Sequence, residues 1–306
     1  MKISVVSSMY FSESYIEQFC LKMTSAINKI TNDYEIILVD DGSRDNSLEK
    51  TKDLALKDNR IKIIELSKNF GAAAARWEGM RVSKGELVFT IDADLEEDPE
   101  IISKFYNKLL ENVKVDAVYG FLESRKGNWK EKITGWIFYK VFKIFSGIEI
   151  KGSPVWARLM TRKYVDALLL HNEYFLFAIG IMNIVGFNQI GIPIEKKDKG
   201  FTSYSFRKKL SQMISSFISF SDIPLKMISL VGFLIFTIAL IFIVFIFTKK
   251  LFFEDYQSGW TSLIASLYFV GGINLFALGI IGIYIGKNYQ QSKNRPRVIV
   301  KNTFNF

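Results

Sequence analysis

The sequence predicts an α/β fold with a mostly parallel sheet, helices on both of its faces, and an apolar C-terminal region. Strand-like and helix-like segments alternate over about the first 120 residues, which is typical of a doubly wound sheet. Several strand-like segments are continuously apolar, as expected when helices cover both faces of the sheet. Near the C-terminus, residues 228–248 and 261–286 contain no charged side chain.

The alternation predicts five strands, and helices lie between several of them. The predicted strands are Ile3–Ser7, Glu35–Asp40, Arg60–Leu66, Leu87–Asp92 and Ala117–Gly120. The predicted helices are Ser12–Ile30, Ser47–Leu56 and Pro99–Asn112. Pro99 suits the first turn of a helix, where the N–H that proline lacks has no partner in the helix. We expect these elements to belong to one domain over residues 1–205.

Each of the two uncharged segments is long enough to cross a bilayer as a helix. At about 1.5 Å per residue, residues 228–248 reach roughly 31 Å, which matches a hydrocarbon core. The connection, Lys249–Trp260, is too short to form a domain. We therefore expect the two segments to form a transmembrane hairpin within residues 227–287.

Basic residues on both sides of the hairpin predict its orientation. Several lysines and arginines lie before the first span and after the second, whereas the connection has only Lys249 and Lys250. By the positive-inside tendency, both termini are expected in the cytoplasm, which predicts a multi-pass protein of the cytoplasmic or inner membrane. Residues 206–226 are expected to form a juxtamembrane amphipathic helix, and residues 288–306 a basic cytoplasmic tail.

Composition narrows the partners and the compartment. The net charge of +9 is compatible with nucleic-acid binding, but the basic residues cluster around apolar segments, so anionic membrane lipid is the expected partner and nucleic acid is not. A single cysteine, Cys20, argues against a disulfide framework and agrees with a reducing compartment. The apolar run at the start of the chain is too short for a signal peptide.

Polar, turn-forming clusters follow three of the predicted strands. They are Asp40–Ser43, Asn69–Gly71 and Asp92–Asp94. Each cluster taken alone could be only a turn or a helix cap. Because ligands of open α/β sheets lie beyond the carboxyl ends of the strands, three such clusters at strand ends predict one shared binding crevice.

The same clusters carry a resemblance to a known family. Val39–Asp45, Lys68–Gly71, Asp92–Glu100 and Val118–Gly120 occur in the order found in glycosyltransferase family 2. The chain most closely resembles the polyprenyl-phosphate glycosyltransferases, which include dolichol-phosphate mannose synthases and bactoprenol glucosyltransferases. The segments Lys199–Tyr204, Ser219–Ser221 and Pro224–Leu225, followed by an apolar hairpin, strengthen the match.

The resemblance implies a GT-A fold and a metal-dependent enzyme that inverts the anomeric carbon. Such an enzyme transfers a sugar from a nucleotide-sugar to a polyprenyl phosphate. We expect the donor to be a UDP-sugar and the acceptor to be undecaprenyl phosphate. The resemblance is also compatible with a homo-oligomer. It implies nucleotide-sugar contacts from Ser7, Asp40, Asp41, Asn69, Gly71, Asp92, Ala93 and Asp94. It implies Mg²⁺ or Mn²⁺ ligands in Asp92, Asp94 and Glu96, where many relatives have glutamine in place of Glu96. It implies catalytic contributions from Asp94, Arg125, Arg158 and Lys197, and acceptor contacts from Arg125, Lys197, Thr202, Ser203 and Tyr204.

One residue departs from the family pattern at a chemically important position. Relatives typically read Gly-Asp-Phe-Arg-Leu where this chain reads Val155–Leu159, so Trp156 replaces a carboxylate proposed as the catalytic base. A phosphate monoester has its second pKa near 6 and needs no base at neutral pH, so positioning could suffice. Two alternatives stay open: a small processive polysaccharide synthase, and a catalytically silent nucleotide-sugar-binding membrane subunit.

Overall fold

The computed structural model describes residues 2–122, 153–173, 176–196, 223–252 and 259–306. These residues fall into two compact units. The first unit lies within Met1–Lys208 and also includes Arg295–Phe306, whereas the second lies within Lys209–Asn294. Residues 206–222 of the predicted juxtamembrane helix lie outside the described residues.

The first unit is an α/β layer structure built around one mixed sheet. Its strands are β1 (Ile3–Met9), β2 (Tyr34–Asp40), β3 (Ile61–Leu66), β4 (Leu87–Thr90), β5 (Ala117–Leu122), β6 (Ser153–Thr161), β7 (Gln189–Pro193) and β8 (Val300–Phe304). Its helices are α1 (Ile16–Asn28), α2 (Ser47–Lys57), α3 (Ala72–Val82), α4 (Ile101–Glu111), α5 (Arg162–Leu169) and α6 (Ala178–Ile184). The strand order across the sheet is β7-β5-β6-β4-β1-β2-β3-β8.

The parallel part of the sheet confirms the prediction of a mostly parallel α/β fold. Strands β4, β1, β2 and β3 are neighbours in that order and run parallel to one another. Strand β6 lies between β4 and β5 and is antiparallel to both. The fifth predicted strand therefore does not pair with the fourth, because the later strand β6 occupies that position. Strand β5 pairs in parallel with β7.

Helices cover both faces of the central strands. On one face, Ile3, Val5, Ile36 and Leu38 pack in a continuous buried cluster that also contains Phe19 of α1 and Phe105 of α4. The opposite face is covered by α3, whose Gly79 lies so close to the sheet that an added Cβ would stand 2.5 Å from the Val6 side chain. A side chain at that position would push α3 off the sheet, so the small residue permits the close packing.

The C-terminal residues add a strand to the edge of the sheet. Strand β8 pairs antiparallel with β3, and the Ser67 N–H donates to the Ile299 carbonyl at 2.9 Å. The Lys301 ammonium and the Asn302 amide bind the two oxygens of Glu65, at 2.5 and 2.8 Å. The expected basic tail over 288–306 thus contains the end of a helix and a sheet strand.

The second unit contains two long apolar helices, α7 (Ile223–Phe252) and α8 (Trp260–Ser292). Among the described residues, one segment is long and apolar enough to cross a membrane, Ser266–Ser292 of α8. The part of α7 recognised as apolar, Ile223–Ala239, is shorter. The predicted spans at 228–248 and 261–286 lie on these two helices, and the transmembrane hairpin itself stays a prediction.

Candidate functional site

The turns after β2 and β3 are bound to each other through Asp41. Its buried carboxylate accepts hydrogen bonds from the backbone N–H groups of Phe70, at 2.6 Å, and Gly71, at 2.9 Å. Gly42 follows with φ +71°, and a Cβ there would stand 2.7 Å from the backbone nitrogen of Asn69. Only glycine suits this position, because the backbone is left-handed and the neighbouring turn leaves no space for a side chain.

Two further predicted nucleotide contacts are held by the sheet. Asp40, the last residue of β2, is buried and accepts from the Ser43 N–H at 3.3 Å. Burial raises the pKa of Asp40, and burial likewise raises the pKa of Asp41. The Ser7 hydroxyl donates to the Ile91 carbonyl at 2.7 Å, so Ser7 joins β1 to the end of β4 instead of presenting a free hydroxyl.

Asp92 is part of a three-residue arrangement with Arg76 and Trp156. Arg76 projects from α3 with 3% of its surface exposed, and its Nη1 forms an ion pair with the Asp92 carboxylate. The guanidinium carbon of Arg76 lies 3.9 Å from the centroid of the Trp156 ring, in a cation–π contact. The residue that replaces the family carboxylate therefore contacts a buried cation.

The acidic turn after β4 continues with Asp94 and Glu96. The Glu96 N–H donates to Asp94 Oδ1 at 3.1 Å, and Leu95 between them has φ +59°. The Glu96 carboxylate pairs with the Lys196 ammonium at 2.8 Å. Burial alone would lower the pKa of Lys196, but the hydrogen bond to Glu96 and nearby carboxylates raise it above its ordinary value.

The three predicted metal ligands, Asp92, Asp94 and Glu96, do not converge on one point in the part of the chain that the structure describes. The described residues contain no group of three or more metal-binding side chains close enough to hold one ion. Two of the three predicted ligands are turned to cations, because Asp92 pairs with Arg76 and Glu96 with Lys196. The oxygen donors nevertheless suit Mg²⁺ or Mn²⁺, which proteins often hold through one or two carboxylates together with substrate phosphates.

Glu97 is a buried carboxyl group in the Asp92–Glu100 segment that was not predicted as a site residue. It is fully buried, and among the described residues neither carboxyl oxygen has a hydrogen-bond partner. The Lys196 ammonium lies 4.0 Å from Oε1. Burial, together with the negative charge of Asp92, raises the pKa of Glu97 to about 8.

A cavity of about 260 Å³ lies beside these residues. Its wall combines charged groups, one aromatic ring and apolar side chains. The residues that line it are Asp92, Glu97, Leu122, Ser153, Pro154, Val155, Trp156 and Lys196. A mixed lining of this kind is typical of small-molecule sites, in which a few polar groups orient the ligand.

Arg158 is not among the described residues that line this cavity. It is 3% exposed, and its Nη1 donates to Gln189 Oε1 at 2.5 Å and to the Tyr164 hydroxyl at 3.2 Å. Its guanidinium also lies 4.7 Å from the centroid of the Tyr119 ring. These contacts join β6 to its neighbours, and the catalytic role of Arg158 stays a prediction.

The remaining predicted residues divide into two groups. Asn69, Gly71 and Ala93 lie in the turns just described, beside Asp41 and Asp92. Arg125, Lys197, Thr202, Ser203 and Tyr204 lie outside the described residues. Arg76, Glu97 and Lys196 were missed in the sequence. Only Arg76 left a signal, since it is a charged residue within the alanine-rich start of a helix.

Comparisons of the sequence with known proteins find related chains. The sequence profile described as Glycosyl transferase family 2 matches residues 4–169. The chain is 36% identical over 304 residues to a protein of Mycobacterium tuberculosis described as "Putative glycosyltransferases", with 99% of this chain and 89% of that protein covered. It is 28% identical over 304 residues to the bactoprenol glucosyl transferase of Shigella phage SfV, with 99% of each chain covered.

A solved structure supports the fold. The crystal structure of glucosyl-3-phosphoglycerate synthase from M. tuberculosis matches with a TM-score of 0.50 at 16% identity, covering 72% of this chain and 80% of that chain. At this low identity the likeness concerns the fold alone. The arrangement of strands and helices is therefore of the GT-A type.

Proposed function

This chain belongs to glycosyl transferase family 2, and on that premise we propose that it transfers one sugar from a UDP-sugar to the phosphate of a membrane polyprenol such as undecaprenyl phosphate. The observation that carries the proposal is the assembly of three polar turns at one edge of the sheet. Asp41 binds the turn that contains Gly71, and Arg76 of the following helix binds Asp92. A crevice of this kind suits an extended anionic ligand such as a nucleotide-sugar.

In this proposal the donor lies along the ends of β2, β3 and β4. Asp40 and Asp41 bind the nucleoside, with Ser7 supporting the same edge. Asn69 and Gly71 border the turn, and Asp92, Ala93 and Asp94 lie beside the diphosphate. The positive charge of Arg76 and Lys196 balances part of the acidic turn, so that a diphosphate can approach it.

The acceptor assignment rests on the relatives and on the apolar helices. The bactoprenol glucosyl transferase of phage SfV aligns over the full length of this chain, including the C-terminal region. Helix α8 contains a segment long and apolar enough to cross a membrane, which suits an enzyme with a lipid acceptor. In this proposal the acceptor phosphate is bound by Arg125, Lys197, Thr202, Ser203 and Tyr204.

We extend the proposal to a multi-pass topology with the sheet on the cytoplasmic side. The chain leaves the first unit before α7 and rejoins it after α8, where β8 pairs with β3. A chain that leaves and returns on the same side of a membrane crosses it an even number of times. In this proposal α7 crosses together with α8, and the basic flanks favour a cytoplasmic sheet.

The reaction needs a nucleophile, a leaving group and their alignment. An oxygen of the acceptor phosphate attacks the anomeric carbon on the face opposite the nucleoside diphosphate. The bond from that carbon to the diphosphate breaks, and its electron pair stays on the diphosphate, so the configuration inverts. Near neutral pH the acceptor phosphate is already largely a dianion and has no proton to lose. Trp156, which has no basic atom, is compatible with this route.

A divalent cation fits the acidic turn as a partner of the leaving group. Asp92, Asp94 and Glu96 offer hard oxygen donors, of which one or two would hold Mg²⁺ or Mn²⁺ while diphosphate oxygens complete the shell. The ion would supply positive charge against the charge that develops on the departing diphosphate. The binding of Mn²⁺ with and without UDP, followed by electron paramagnetic resonance, tests this fit independently of turnover.

One observation keeps a second function in view, a nucleotide-sugar-binding membrane subunit without catalysis. Trp156 stands where the family resemblance implies a carboxylate, and its ring contacts Arg76. Such a subunit would bind UDP-sugars and release no lipid-linked sugar.

The test uses the purified full-length protein in vesicles that contain undecaprenyl phosphate. A panel of UDP-sugars is supplied, and lipid extracts are analysed by mass spectrometry for a sugar linked to undecaprenyl phosphate. We expect one donor to yield this product with release of UDP. UDP-sugar binding without any lipid product would contradict the transfer and favour the silent subunit. Asp166→Asn provides a matched control, since this carboxylate is exposed on α5, where Arg162 is its partner.

A further inference from the structure

Glu97 combines deep burial with unused hydrogen-bonding capacity. Its carboxyl group is fully buried, yet among the described residues neither oxygen accepts a hydrogen bond. Leaving a buried polar group without partners is costly, and such groups are retained where another requirement demands them. The nearest cation, Lys196, lies 4.0 Å from Oε1 and makes its shorter contact, at 2.8 Å, with Glu96.

The unused carboxyl group borders the cavity of about 260 Å³. Trp156 contributes an aromatic wall, and Asp92 links the cavity to the acidic turn where the diphosphate is expected. Arg76 contacts both of these residues, through the Asp92 carboxylate and the Trp156 ring, so the walls are held by one buried side chain. A preorganised cavity of this kind suits a small ring that carries hydroxyl groups.

We propose that this cavity is the subsite for the sugar of the donor, and that Glu97 selects that sugar by accepting hydrogen bonds from its hydroxyl groups. The proposal rests on the proposed function, because it assumes a nucleotide-sugar whose diphosphate lies beside Asp92. A carboxyl group accepts a hydrogen bond whether or not it carries a proton, so the role does not depend on its ionisation. Trp156 supplies the apolar surface against which the ring packs.

The charges around the cavity identify the class of sugar. The cation in the described wall is Lys196, and Glu96 already binds it. Asp92 would oppose a further negative charge, and the carboxyl group of Glu97 offers no positive charge to pair with one. The subsite therefore fits an uncharged, hydroxyl-bearing hexose and disfavours a uronate.

Substitution of Glu97 separates a selective role from a structural one. Glu97→Met removes both oxygens at similar length, and Glu97→Gln keeps one acceptor. If the carboxyl group only served the fold, Glu97→Met would lower the stability. Glu97 accepts no hydrogen bond among the described residues, and its nearest cation there, Lys196, lies 4.0 Å away. We therefore expect the thermal midpoint to change little, while sugar recognition is lost.

The experiment measures the affinity of the full-length protein for UDP, UDP-glucose, UDP-galactose and UDP-glucuronate by calorimetry. We expect the natural protein to bind at least one of the two UDP-hexoses more tightly than UDP. Glu97→Met should weaken the binding of that UDP-hexose by about 10- to 100-fold and leave the affinity for UDP unchanged. The affinity of Glu97→Gln for the UDP-hexose should lie between those of the natural protein and Glu97→Met. Glu100→Gln changes an exposed carboxylate bound to Lys29 and should have the affinities of the natural protein.

Each outcome decides the inference. Equal losses for UDP and UDP-hexose, or no loss for either, would overturn the sugar subsite. So would tighter binding of UDP-glucuronate than of UDP by the natural protein, a measurement that needs no variant. The proposed function is judged separately by lipid product. Transfer that Glu97→Met leaves unchanged would reject the subsite alone, whereas selective hexose binding without any lipid product would reject the acceptor alone.

Discussion

Replacing Trp156 with aspartate would restore the carboxylate that relatives carry at this position, yet we expect no gain in transfer rate. The reason is Arg76, whose guanidinium carbon lies 3.9 Å from the centroid of the Trp156 ring and which pairs with Asp92. A carboxylate introduced there would meet this buried cation. Because an ion pair lowers the basicity of a carboxylate, the introduced group would be a poor general base.

The expected magnitude follows from the contact that is lost. A gained general base would raise the rate by about 10²- to 10⁴-fold. A cation–π contact contributes about 0.5–2 kcal/mol, and its loss loosens Arg76 and with it Asp92. If that whole amount were lost from the transition state, Trp156→Asp would be about 2- to 30-fold slower than the natural enzyme. Trp156→Phe keeps a ring over Arg76 and should lose less.

The assay compares single-turnover rates of the natural enzyme and both variants from about pH 5 to 8, so that product release does not contribute. Because the acceptor phosphate has its second pKa near 6, the natural rate should fall as the pH decreases through that value. A gain of about 100-fold or more with Trp156→Asp would refute the reasoning. A flat profile for the natural enzyme would refute the dianionic nucleophile.

Four further predictions follow from other parts of the structure. Asp94→Ala should abolish transfer and Mn²⁺ binding while leaving membrane insertion unchanged, and EDTA should reproduce the loss of transfer in the natural enzyme. Gly42→Ala should cost about 1–2 kcal/mol from its left-handed backbone, measured by chemical unfolding, and should weaken UDP binding because the Cβ meets the turn at Asn69. Burial alone would raise the pKa of Glu35, but hydrogen bonds from Lys62, Ser4 and the Lys84 N–H lower it to about 2 from its ordinary 4.5. Glu35→Gln should therefore remove about 3 kcal/mol of stability. This stability is present above pH 4.5 and is lost as the pH falls towards 2. Tags at the two termini should be labelled on the same side of the membrane, opposite a tag in the connection between α7 and α8.

Each of these has an outcome that contradicts it. Substantial turnover in excess EDTA would argue against the cation. An unchanged affinity of Gly42→Ala for UDP would show that this turn does not contribute to nucleotide binding. A stability difference for Glu35→Gln that persists unchanged at pH 2 would show that its ion pairs are not the cause. Termini labelled on opposite faces would reject the hairpin.

The parallel strands of the sheet could be predicted because they depend on local sequence patterns. A continuous apolar run such as Ile36–Val39 is expected to be buried on both faces, and this expectation needs no structure. The antiparallel strands β6 and β8 could not be predicted in this way. Their positions depend on pairing with strands distant in sequence, as when Lys301 binds Glu65.

For the site, the sequence by itself predicted which turns would form a binding crevice, because Asp, Asn and Gly clusters follow three of the predicted strands. Only the tertiary structure decided how those groups are paired. It placed Arg76 between Asp92 and Trp156, enclosed Glu97 without a hydrogen-bond partner among the described residues, and engaged Arg158 with Tyr164 and Gln189. The physical reason is that residue type and spacing set what a side chain can bind, whereas burial and the partners brought by other elements set what it does bind.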